Sequence, residues 1–82
     1  MNDDKQLNLG EQPIAGIMAQ RQLGAHDLVA HSDGRVTHKM VARACKGRRL
    51  TPHSQRLVRD ALNAACDDAN YGLEDLFNYA GR

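Results

Sequence analysis

All three aromatic residues of this 82-residue chain, Tyr71, Phe77 and Tyr79, fall near its C-terminal end, and there is no tryptophan. A core drawing on the rest of the chain must be aliphatic, built from Leu, Val, Ile, Ala and Met. Such side chains suit short packed helices better than an aromatic-rich barrel. The length allows one small domain, burying ~60–65% of the surface its unfolded chain exposes. With 41% hydrophobic and 26% charged residues, the balance is globular rather than disordered.

Several classes are excluded at once. No apolar run approaches the ~18–20 residues that cross a bilayer, so no membrane partner is expected. Met1-Asn2-Asp3-Asp4-Lys5 lacks the apolar stretch of a signal peptide. Cys45 and Cys66 are too few for a disulfide scaffold or a four-cysteine zinc site, and a cytoplasmic protein with reduced thiols is expected. Among apolar helix positions, free cysteine acts as a small hydrophobe. His26, His31, His38 and His53 do not pair with a cysteine at zinc-ligand spacing, so no metal is expected. There is no glycine-rich phosphate loop, no Gly-x-Ser-x-Gly and no His-Glu-x-x-His, and the carboxylates cluster towards the ends. Neither an enzyme, a cofactor nor a small-molecule substrate is expected.

Apolar spacing and start signals predict five short helices. Residues 1–12 read as a flexible polar N-terminal arm, and 13–82 as the domain. Pro13 opens a helix over 13–22, with Ile14, Ile17 and Met18 as its stripe. A second helix over 25–32 buries Leu28 and Val29, with Leu23 at its start. Ser32-Asp33-Gly34-Arg35 is a turn. Thr37 caps a third helix that buries Val41 and Ala44, with Met40 and Cys45 beside them, and Gly47 ends it. Thr51-Pro52 starts a fourth over 52–66, with Val58, Ala61, Leu62 and Ala65 inward. After a loop over 67–72, Leu73, Leu76 and Phe77 mark a last helix ending near Ala80.

The net charge of +1 hides a strong segregation. Arg35, Lys39, Arg43, Lys46, Arg48, Arg49, Arg56 and Arg59 lie within 25 residues that contain no acid, and all ten acids flank them. A one-signed block inside a near-neutral chain points to a basic face for a polyanion.

Leu23, Asp27-Leu28, a glycine-bearing turn, Thr37 opening a helix with Val41 and Ala44 inside it, and Lys46-Gly47-Arg48 closing it are followed by Leu50-Thr51-Pro52 and a helix through Ala61-Leu62-Asn63. Over residues 13–66 this order resembles the lambda-repressor-like (Cro-type) helix-turn-helix family. The chain departs from that family in spacing: Leu28 to Gly34, and Gly34 to Gly47, are each one residue longer. It also has Val29 where a small alanine is usual and Ala25 where a glutamine is frequent. An extended loop from Ser32 to Val36 would accommodate the added length.

The resemblance implies a compact all-α, five-helix domain whose helix at 37–46 enters the major groove of double-stranded DNA. It implies base-reading positions at His38, Lys39, Ala42 and Arg43. The residues independently favour the same face, because a single α-helix fits the groove and Lys or Arg bonds O6 and N7 of guanine. Thr37, Lys46, Arg48, Arg49 and Arg56 are the expected phosphate contacts. A homodimer on a two-fold site follows from the same comparison. RNA is a poorer fit, since the basic block has no aromatic stacking platform.

The rival expectation is a protein-interaction module that keeps the fold without binding DNA. Its basis is the C-terminal segment, where Leu73, Leu76, Phe77 and Tyr79 form either a dimer patch or the cap of the core. Short amphipathic helices favour the cap.

Overall fold

The computed structural model describes residues 10–66 and 68–79. Within them the chain forms five helices and no strand: α1 (Pro13–Gln20), α2 (Ala25–His31), α3 (His38–Lys46), α4 (Pro52–Ala65) and α5 (Leu73–Leu76). No helix among these residues is long and apolar enough to cross a membrane.

Local chemistry sets the starts. Pro13 and Pro52 occupy first-turn positions, where the N–H they lack has no helical partner anyway. Thr37 Oγ1 accepts the Met40 N–H at 3.1 Å, and Thr51 Oγ1 accepts the Ser54 N–H at 3.2 Å. At the heads of α2 and α5, Gly24 and Gly72 donate their N–H groups to Asp27 and Asp75, at 2.7 and 2.9 Å. Each carboxylate, three residues into its turn, also meets the positive end of the helix dipole.

Helix α4 carries α2, α3 and α5, while α1 packs on α3 and α5. The shared core takes Ile14 and Met18 from α1, Leu28 from α2, Val41 and Ala44 from α3, and Val58, Ala61 and Leu62 from α4. Leu76 and Phe77 close it completely, and Tyr79 is buried beside them. The C-terminal apolar side chains thus seal the core of their own chain.

Two loop residues join that core, Val36 and Leu50. Val36 is delivered by the connection between α2 and α3, which is tight rather than slack. Asp33 and Gly34 have φ of 60° and 81°, and the Arg35 N–H donates to the Ser32 carbonyl at 3.2 Å. That pattern is a type I′ turn. Buried Ser32 braces it: its Oγ donates to the Val29 carbonyl at 2.8 Å and accepts the Val36 N–H at 3.1 Å. The turn thus ends at buried Val36, and α3 begins directly after its Thr37 cap.

The expectations at 13–22, 25–32 and 52–66 are met with ends one or two residues shorter. Val29 is half-buried, not core. The last helix needs a larger correction. It stops at Leu76, because Phe77 turns to extended backbone (φ −128°, ψ 123°) and leads the chain towards Leu50; Ala80 lies outside the described residues. Residues 1–9 of the expected arm also lie outside them. Gln12, at the arm's inner end, is only 2% exposed. Its N–H donates to the Cys45 carbonyl at 3.1 Å, its Nε2 to the Gly10 carbonyl at 2.9 Å, and its Oε1 accepts the Asn78 N–H at 2.7 Å.

Candidate nucleic-acid interface

Helix α3 buries one side and exposes the other. At ~100° per residue, Ala42, Lys46 and Lys39 fall within ~60° of one another, opposite Val41 and Ala44, with His38 and Arg43 on the flanks. All five outward residues are exposed, and the two inward ones are buried.

Beside this face lies an open groove of about 520 Å³ lined by Lys39, Ala42, Arg43, Lys46 and Arg48. Four cations therefore surround one concavity, and no acid among the described residues lines it. The ion pairs among the described residues, Arg21–Asp68 at 2.8 Å, His26–Asp27 at 3.4 Å and Arg59–Asp60 at 2.9 Å, involve neither Lys39, Arg43 nor Lys46. Lys39, Arg43 and Lys46 lie one turn apart along the helix and hold mutually repelling charge on a common side. A polyanion relieves that repulsion.

The groove unites residues assigned to bases from sequence (Lys39, Ala42, Arg43) with residues assigned to phosphates (Lys46, Arg48). His38 and Thr37 sit at the head of α3 outside its lining. The Thr37 oxygen is engaged as the cap, which leaves its hydroxyl proton to donate. Arg56 is exposed on α4, and Arg49 is exposed in the α3–α4 loop; neither lines the groove. Arg35 belongs to a separate cleft of about 150 Å³ that also holds Asp33 and Asp60, so its surroundings are mixed in sign. Arg59 is tied to Asp60.

The α3–α4 loop owes its shape to distant parts of the chain. Gly47 ends α3 at φ 90°, and the Gly47 and Arg48 N–H groups both bond the Arg43 carbonyl. A side chain at Gly47 would collide with the Gly10 carbonyl, so the position is closed to other residues by both its backbone angle and its neighbour. The guanidinium of Arg49 lies 5.5 Å from the centre of the Tyr79 ring. The Leu50 N–H donates to the Tyr79 hydroxyl at 3.2 Å, and the Leu50 carbonyl accepts from Gln55 Nε2 at 2.9 Å. Neither Tyr79 nor Gln12 figures among the sequence-derived site residues. No local pattern marks them, since the partners that tie them to the end of α3 and its loop lie tens of residues away.

Cysteine chemistry is not favoured at this face. Cys45 is half-buried, its Sγ 3.8 Å from Met18 Sδ, and burial, aided by nearby Glu11, pushes its thiol up and away from the reactive thiolate.

No family model, no curated protein and no solved structure matches this chain. Function is therefore read from the site itself.

Proposed function

We propose that this domain binds double-stranded DNA sequence-specifically and acts as a small transcriptional regulator, with α2 and α3 serving as a helix-turn-helix of the lambda-repressor-like kind. The observation that carries this reading is the groove along the exposed face of α3, lined by Lys39, Arg43, Lys46 and Arg48 with no acid among the described lining residues. An α-helix of ~10–12 Å diameter fits the ~12 Å major groove. Lys39 and Arg43 then face base edges, with His38 and Ala42 beside them. Lys46, Arg48, Arg49, Arg56 and the Thr37 hydroxyl face sugar–phosphate.

Of the C-terminal patch that the interaction-module alternative would use, Leu76, Phe77 and Tyr79 are buried and Leu73 is half-buried. Two copies on a two-fold site with half-sites one helical turn apart suit the proposed docking, with a contact elsewhere than that patch.

Selection of duplexes from a random pool at moderate salt tests the proposal. Enrichment of a motif supports it; retention without enrichment makes the domain a nonspecific architectural binder; no retention refutes it. If ~6–8 phosphates are neutralised, affinity falls ~10³–10⁵-fold between 50 and 200 mM salt. Arg48→Ala should weaken all sequences alike.

A further inference from the structure

The short connection from Gly47 to Leu50 has no helical ladder of its own, yet both ends of the described chain converge on it. From the N-terminal side, Gly10 packs against Gly47 and Gln12 bonds the Cys45 carbonyl at the close of α3. From the C-terminal side, the Asn78 N–H donates to Gln12 and the Tyr79 hydroxyl accepts the Leu50 N–H. Tyr79 is itself fixed: it is 5% exposed and its ring packs 5.5 Å from that of Phe77.

This arrangement addresses an obstacle to phosphate binding by loops. A flexible basic loop must be ordered when the ligand arrives, and that ordering subtracts from affinity. Here the ordering is already done. A guanidinium held over a ring by cation–π attraction keeps N–H groups with which to bond a phosphate. The Leu50 hydrogen bonds fix the backbone on the far side of Arg49, as Gly47 fixes the near side.

We propose that Tyr79 is a positioning residue for DNA binding: its ring aims Arg49, and its hydroxyl sets the Leu50 backbone, so that the α3–α4 loop meets the phosphate backbone already formed. This rests on the DNA-binding reading above, and extends it from the α3 face to the C-terminal tail.

The test is a double-mutant cycle on duplex affinity and its salt slope, with melting curves as folding controls. Arg49→Ala should lower the slope by about one unit and weaken all sequences several-fold. Tyr79→Leu should do the same. Arg49→Ala should add almost nothing in the Tyr79→Leu background, because the side chain is no longer aimed. Tyr79→Phe keeps the ring and should restore the slope, while exposing the Leu50 amide to faster hydrogen exchange and lowering affinity a few-fold. Independent, additive effects of Arg49→Ala and Tyr79→Leu would overturn the proposal while leaving DNA binding intact. So would Tyr79→Phe with a deprotected Leu50 amide and unchanged affinity, a result available even if Tyr79→Leu does not fold. A wild-type chain that binds no duplex refutes the underlying reading instead.

Discussion

Lys39, Arg43 and Lys46 stand on a regular helix, whereas Arg48 and Arg49 stand on a few residues of irregular chain directly after it. On α3, backbone hydrogen bonds and the buried Val41 and Ala44 fix where each cation points, and a 3.6-residue period is the whole instruction. In the loop, direction comes from Gly10, Gln12, Gln55 and Tyr79, contributed by three other segments. Similar charge is thus displayed in one case by local geometry and in the other by tertiary clamping. A face of the first kind tolerates damage elsewhere in the fold; a loop of the second kind does not.

Gly47 is where the two regions join, and its replacement should break the comparison most severely. Gly47→Ala forces a side chain into left-handed backbone and against the Gly10 carbonyl. A loss of about 2–4 kcal/mol of stability is expected, combining backbone strain with displacement of a packed neighbour. Denaturant unfolding measures it; a loss below about 1 kcal/mol would show that the Gly10 contact is easily released.

Within the helix the effect should be on binding rather than folding. Arg43→Ala should cost about 1–3 kcal/mol on the preferred duplex and relax preference at one position, with the melting temperature nearly unchanged. Lys46→Ala, on the same exposed face, should act more weakly, lowering affinity for every sequence and the salt slope by about one unit. If the two variants behave alike, the division between base and phosphate contacts on α3 is wrong.

The smallest effect concerns the clamp in alkali. Burial pushes the Tyr79 phenol above its ordinary value, against the opposing pull of the Leu50 N–H and Arg49. The unfolded chain then loses the proton first, so this contribution to stability is intact below pH ~10 and is lost as pH rises beyond it. The melting-temperature difference between wild type and Tyr79→Phe should hold constant from about pH 9 to about 10 and change only at the upper end, towards about pH 11. Parallel curves would place the phenol in contact with water.

The same contrast explains how far the sequence could be read. Helices α1, α3 and α4 announce themselves through Pro13, Thr37, Thr51-Pro52 and Gly47, because capping and spacing act within a few residues. The α3 face was legible for the same reason: alternation of Val41 and Ala44 with Lys39, Arg43 and Lys46 is a one-helix pattern. The end of α5 was not. Nothing near Phe77 says that the helix must stop there; the extended chain beyond it carries Tyr79 to its hydrogen bond with Leu50, 29 residues back from Tyr79. Gln12 looked like part of a polar arm, since its role depends on Cys45 and Asn78. Val36 was hidden by a turn whose two positive φ angles aim a lone apolar residue inward.

The central claim is that the outward face of α3 is what meets the duplex. Titrating a duplex into the isotopically labelled chain and following amide and side-chain resonances tests it directly. The account predicts that the large changes gather at His38, Lys39, Ala42, Arg43 and Lys46, continue into Arg48 and Arg49, and spare the 31–35 turn and α5. Changes centred on the cleft around His31 and Asp60, or spread evenly over the domain while α3 stays silent, would contradict it.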